Sequence, residues 1–156
     1  MTVQLNDIEQ FNYSCAQVLN AEEFSKWPAF FAPQCTYEVL SRENVEQGLP
    51  APLMSCYSHG MVEDRVAMLL KGTLTYRRMY LKHYITNTQI VAQTDTETHA
   101  RANVMVMQST LEGVSSIYVV GSYEDIFIEI DGKLLLSSRK VVLDSFGIDT
   151  MLAVPI

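Results

Sequence analysis

Cys56-Tyr57-Ser58-His59 has the Cys-x-x-His spacing that presents a thiolate and an imidazole from one loop, and Cys35-Thr36-Tyr37 lies upstream of it. Two such halves would hold a Rieske [2Fe–2S] cluster, in which two cysteines ligate one iron and two histidines the other. The upstream half has Tyr37 where its histidine would stand, and the chain holds only two further histidines, His83 and His99. Neither belongs to a second Cys-x-x-His loop. A mononuclear iron triad needs two histidines and a carboxylate, and the three histidines lie in unrelated segments. Cys56 therefore reads as a buried thiol at a loop–helix junction, and His59 as a solvated residue in the first turn of the next helix. No catalytic, cofactor-binding or metal-ligating residue is expected in this chain.

Other chemistry leaves few traces. There is no glycine-rich phosphate loop, no Gly-x-Ser-x-Gly elbow and no His-Glu-x-x-His. Asp64-Arg65 reads first as a helix residue pair whose arginine bridges to the sheet or to a partner. Asp125 and Asp144 fall on strands and are candidates for an inward-pointing base, although pairing with a basic residue such as Arg139 is the commoner role. Trp27 and Phe30-Phe31 read as core or interface anchors.

The elements that must place these residues change character midway. Ile8, Phe11, Cys15 and Val18 step by three, four and three, which puts them on one helical face. Asn20, with Glu23 three residues on, has the form of a capping box for a second helix whose stripe is Phe24, Trp27 and Phe31, kinked or ended near Pro28. Cys35 to Leu40 is a short strand, 41–56 a long loop, and Ser58 to Lys71 a third helix stopped by Gly72. From there the period is two. Ala100, Ala102, Val104 and Val106 alternate with polar or larger residues. Residues 116–130 form a long strand whose apolar parity slips near Tyr123-Glu124-Asp125, which reads as a bulge. Asp131-Gly132 is a hairpin turn, with 133–145 the returning strand. Three helices followed by long bulged strands predict a single α+β domain over 1–156, with helices covering a strongly curved, mainly antiparallel sheet in a cone.

Composition limits what such a domain meets. A chain of 156 residues buries about 70% of its unfolded surface, enough for a core without disulfides or a structural metal. A net charge of −7, with Arg77-Arg78 and Arg139-Lys140 the only adjacent basic pairs, argues against nucleic acid. No apolar run approaches the roughly 20 residues of a membrane helix, and the first residues lack a signal peptide's pattern. Three widely spaced cysteines suit a reducing compartment, so a cytoplasmic location is expected.

The order of these features resembles the small (β) subunits of ring-hydroxylating aromatic dioxygenases, over nearly the whole chain. Trp27-Pro28 with Phe30-Phe31 is similar to that family's second-helix signature, and Met61 with Asp64-Arg65 to its Met-x-x-Asp-Arg. Lys82-His83 with Asn87 stands where the family has Arg-His and Asn, Lys82 departing from the pattern. Gly121, Tyr123, Asp125 and Phe127, then Asp131-Gly132, Arg139 and Asp144, follow its closing hairpin. Arg42-Glu43-Asn44 and Glu46-Gln47-Gly48-Leu49 resemble the subset acting on aromatic carboxylates, such as salicylate 5-hydroxylase and terephthalate dioxygenase.

The resemblance implies an NTF2-like (SnoaL-like) cone and a non-catalytic structural subunit that trimerises and supports large (α) subunits, typically as α3β3. It places the Rieske [2Fe–2S] cluster and the mononuclear Fe(II) in the large subunit, with NAD(P)H electrons arriving through a reductase. The same fold hosts free-standing isomerases and dehydratases, for which Asp125, Tyr37, Tyr123 and His83 would be the pocket residues. A ligand-binding dimerisation module is a third reading. For a subunit, the uncharged tail Met151-Leu152-Ala153-Val154-Pro155-Ile156 is expected to dock onto a neighbouring chain. Met151, Leu152, Val154 and Ile156 are its contact residues, with Trp27 and Arg65 beside them.

Overall fold

The computed structural model describes residues 2–72, 78–148 and 151–156; Arg77, half of one basic pair, lies outside them. Helix α1 (Leu5–Asn20) leads into a 3-10 helix (Phe24–Phe30) and strand β1 (Phe31–Ser41). A one-turn helix α2 (Arg42–Glu46), a short strand β2 (Met54–Cys56) and helix α3 (His59–Leu70) follow. Strands β3 (Met79–Gln93), β4 (Thr98–Thr110), β5 (Ser115–Ile130) and β6 (Lys133–Leu143) complete one sheet in the order β2-β1-β6-β5-β4-β3. Among the described residues only β1 and β6 are parallel neighbours, and the other pairings are antiparallel. The α+β expectation with a mixed, mainly antiparallel sheet holds.

Burial divides the sheet into two faces. Inward positions on β5 are Val119, Gly121, Tyr123, Asp125 and Phe127, opposite Ala100, Ala102, Val104 and Val106 on β4. Helix α1 lies in the concavity, packed on β3, with Ile8, Asn12, Cys15, Ala16 and Leu19 facing in. Phe11 crosses Phe127 of β5 edge to face at 5.1 Å. The outer face carries a row of alternating charge set by register: Glu38, Lys140, Glu124 and Arg101 stand side by side on β1, β6, β5 and β4.

Local signals explain several joints. Ser58 caps α3 by accepting from the Met61 N–H at 3.2 Å, and Gly72 follows the helix at φ +67°, a left-handed position that suits glycine. Asp131 and Gly132 both have positive φ, as a two-residue type I′ hairpin needs, between the paired Ile130 and Lys133.

Four expectations need correction. Asn20 caps no second helix: it is the last residue of α1, and its side chain turns instead to His83. Phe31 opens β1, because Pro28 allows only a short 3-10 segment before the chain extends. The loop 41–56 contains α2 and β2, both short enough to leave no period in the sequence. β5 has no bulge at 123–125; its inward parity is unbroken, and the slip reflects Asp125 being a polar residue facing in. The register shifts instead fall where the β4–β5 ladder steps over Tyr118 and the β5–β6 ladder steps over Ser137, and Ser137 Oγ donates to Ile126 O at 3.2 Å.

Candidate functional site

The residues with chemical potential converge on the inside of the cone, and they engage one another there. Arg139 projects inward from β6 next to Asp125 of β5, its register partner. Its Nε donates to Asp125 Oδ1 at 2.9 Å and one terminal nitrogen to Oδ2 at 2.8 Å, a bidentate pair whose side chains are 3% and 2% exposed. The same terminal nitrogen donates to Asn12 Oδ1 at 2.5 Å, and the guanidinium lies 3.9 Å from the Tyr123 ring centroid. Burial pushes the Asp125 carboxyl up, opposed by Arg139. Burial alone would lower Arg139, but Asp125 and its hydrogen bonds outweigh it and the net shift is upward. Both carboxylate oxygens are held by the arginine, so Asp125 is a structural counter-ion and not a base poised for substrate.

The other inward candidates are equally committed. Tyr37 O–H donates to Ile156 O at 3.1 Å and its oxygen accepts from Ile156 N–H at 2.9 Å; burial raises its pKa well above the ordinary tyrosine value. Tyr123 is likewise raised by burial. His83 lies with Nδ1 2.9 Å from Asn20 Oδ1 and Nε2 3.3 Å from Pro155 O. Asn20 Oδ1 also accepts the His83 backbone N–H at 2.8 Å, which fixes the oxygen's position. A neutral imidazole has one N–H, so it serves only one of the two carbonyls. Burial lowers His83 to about 4, so the ring is neutral near pH 7. Asp144 does not point inward: it is exposed past the end of β6 and pairs with Arg42 at 3.3 Å.

Cys56 and His59 do not converge on a common centre. Cys56 is 2% exposed at the end of β2, with its thiol 3.6 Å from Met61 O; burial raises it, and the neighbouring Arg65 pulls it back. Arg65 is thus the charged neighbour that α3 sets beside this thiol. His59 is not solvated: it is half buried, with Nε2 3.0 Å from Pro28 O, which fastens α3 to the 3-10 helix, and Nδ1 3.5 Å from Glu63. Among the described residues, no group of three or more His, Cys, Asp or Glu could hold a metal ion. These residues do not fit an iron–sulfur or mononuclear iron site.

The six residues expected at an interface separate. Trp27 is 1% exposed inside the core, edge-on to Tyr37 at 5.2 Å, and offers no surface to a partner. The tail does not stand free to dock. Ile156 is 1% exposed and Ala153 is buried, while Leu152 and Val154 are half buried. The absence of charge after Asp149 reflects packing on the chain's own domain. Arg65 is half buried, and of the six only Met151 is well exposed. Sequence reasoning passed over Asn12, the one polar residue in the Ile8–Cys15–Leu19 stripe. That polar interruption was the available sign of a buried charge opposite it.

A groove of about 580 Å3 lies outside this cluster, between α1, the 3-10 helix and the tip of the β5–β6 hairpin, with Phe11, Phe30 and Leu134 among its walls. None of Tyr37, His83, Tyr123 and Asp125 lines it.

Comparison with known proteins agrees with this geometry. Residues 15–150 match the family described as ring hydroxylating beta subunit. The small subunit of anthranilate 1,2-dioxygenase from Burkholderia cepacia is 32% identical, over 88% of this chain and 85% of that one. A beta subunit of the terminal oxygenase component of terephthalate 1,2-dioxygenase from Comamonas is 31% identical, over 97% and 99%. A crystal structure of a beta subunit assigned to an aromatic-ring-hydroxylating dioxygenase of Novosphingobium aromaticivorans superposes with a TM-score of 0.87 at 36% identity, covering 96% of this chain and 94% of that one.

Proposed function

Because the chain belongs to the ring hydroxylating beta subunit family, we propose that it is the non-catalytic small subunit of an oxygenase acting on an aromatic carboxylate. The observation that carries this reading is the filled interior: Asp125 is clamped by Arg139 and Tyr37 is closed by Ile156. In a free-standing isomerase or dehydratase a pocket carboxylate must face substrate with an oxygen to spare. The aromatic carboxylate substrate is supported by the anthranilate and terephthalate enzymes to which the relatives belong. The Rieske cluster and Fe(II) then reside in the large subunit, fed by NAD(P)H through a reductase, and this chain contributes no ligand to either.

The assembly is α3β3 in the cytoplasm, with the small subunits self-associating as a trimer. Among the described residues no helix is long and apolar enough to cross a membrane. Large apolar side chains left on the outer sheet face support a subunit role. Tyr84, Met105 and Val120 stand side by side on β3, β4 and β5, and Tyr84 and Val120 are 46% and 41% exposed. The interface we propose is this face together with Met151. A Tyr84→Asp/Val120→Asp variant, co-expressed with the large subunit and sized by light scattering, tests it. The expected result is a folded small subunit that no longer co-elutes; unchanged assembly would refute the placement.

A further inference from the structure

Residues 151–156 belong to no helix or strand, yet Ala153, Pro155 and Ile156 are buried. The tail's backbone is held by side chains. Tyr37 takes the N–H and the C=O of Ile156, at 2.9 and 3.1 Å. His83 Nε2 lies 3.3 Å from Pro155 O, and Tyr118 O–H donates to Met151 O at 3.1 Å. These are a few isolated contacts, whereas β5 and β6 are held by a ladder running from Gly121–Leu143 to Ile130–Lys133. Local opening should therefore release the tail before the sheet.

What the tail covers is not an ordinary core. Tyr37 is the hub of an aromatic wall, with Trp27 at 5.2 Å and Phe31 at 6.1 Å, both edge to face. When the tail leaves, the Tyr37 hydroxyl loses both of its Ile156 partners, and the His83 ring keeps Asn20 as its neighbour. Beside Arg139, Asn12 Nδ2 is buried and has no hydrogen-bond partner among the described residues. Ile156 presents to Tyr37 a branched apolar group flanked by one donor and one acceptor.

We propose that residues 151–156 are a plug seated in a ligand site of the cone. With the tail displaced, the site takes a small planar apolar molecule bearing one N–H or O–H donor. The donor replaces the Ile156 N–H at Tyr37 Oη, and the ring replaces the isoleucine side chain against the aromatic wall. The inference concerns the same interior that supports the subunit reading, but it asks for binding without turnover, and Asp125 stays clamped by Arg139 whether or not the tail is seated.

Indole is the probe, and the full chain is used throughout. Ile156→Ala weakens the plug and leaves the site intact. Indole affinity, measured by NMR titration, should rise at least about tenfold over wild type, since truncating a buried isoleucine removes well over a factor of ten in holding energy. Adding Tyr37→Phe should cut indole binding several-fold while leaving binding of naphthalene, which lacks the donor, unchanged. In wild type, indole should speed amide exchange at Ile156 and leave the β5–β6 amides unaffected. If Ile156→Ala does not fold, that wild-type exchange experiment decides. A folded Ile156→Ala chain that does not bind indole, or an Ile156 amide that exchanges only with the sheet and is indifferent to indole, overturns the proposal.

Discussion

Replacing Asp125 by asparagine should cost the fold far more than it costs any chemistry. The carboxylate is 2% exposed, meets Arg139 at 2.8 and 2.9 Å, and among the described residues is the only anion on a guanidinium 3% exposed. Asp125→Asn leaves that guanidinium charged and buried beside Asn12, Cys15 and the Tyr123 ring, none of which carries a compensating charge. Removing one partner of a buried pair costs about 3–5 kcal/mol, out of a total stability of about 5–15 kcal/mol. The amide oxygen still accepts one bond, which favours the lower end. For a chain near 150 residues each kcal/mol moves Tm by about 2–4 °C, so a fall of about 6–12 °C is expected at a loss near 3 kcal/mol. Urea unfolding at pH 7, followed by far-ultraviolet circular dichroism, measures the loss directly. The double variant Asp125→Leu/Arg139→Met removes both charges and should recover most of it, because an apolar pair of similar volume has no unpaired charge to desolvate. A loss below about 1 kcal/mol would refute the buried-pair reasoning. A turnover loss above about a hundredfold in an assembled, fully folded Asp125→Asn complex would instead mark Asp125 as a general base.

Three further outcomes follow from single contacts. His83 has an ordinary value of 6.5 and is lowered by burial to about 4 in the fold. The unfolded chain therefore takes up a proton from pH 6.5 downward that the folded chain refuses until about pH 4. Stability is complete above pH 6.5 and falls as pH drops, by about 2 kcal/mol at pH 5; His83→Gln should flatten this part of a Tm–pH profile, and an unchanged slope would contradict it. A Cβ on Gly121 would lie 2.2 Å from Val142 O, so Gly121→Ala should destabilise by about 3 kcal/mol or more in denaturant melts, and a neutral effect would mean that β5 and β6 can part there. Cys56→Ser should leave oxygenase turnover and iron content of the assembled enzyme within about twofold, which metal analysis of the complex checks.

The sequence revealed elements wherever period and punctuation agreed. Ser58 and Gly72 bracket α3, and Asp131-Gly132 fixes the β5–β6 hairpin. It misled where one residue serves two elements. Asn20 has a cap's chemistry, yet it is used from the end of α1 to hold His83. Asp125 broke the apparent alternation of β5 because its partner Arg139 lies on another strand, and pairing across strands leaves no trace in local pattern. The tail looked like an interface because it is apolar. The recess it fills is made by Tyr37 and His83, which are 119 and 72 residues away along the chain from their partners in it. The Asp125–Arg139 pairing was legible as the commoner use of both charges and Asn12 left a polar gap in the α1 stripe, whereas the Tyr37–Ile156 closure needed three dimensions.

The central claim, that this chain supports an oxygenase without taking part in its chemistry, is tested most directly by separating the complex and following iron and turnover. The small subunit is co-expressed with a large subunit, purified as one species, then dissociated, and each chain is assayed for iron and for conversion of an aromatic carboxylate. Iron and the cluster's visible absorption should travel with the large subunit alone. Turnover should be lost when the small subunit is removed and return when it is added back, for wild type and for Tyr37→Phe alike. Iron bound stoichiometrically to the isolated small subunit, or isomerase or dehydratase turnover by that chain alone, would contradict the claim.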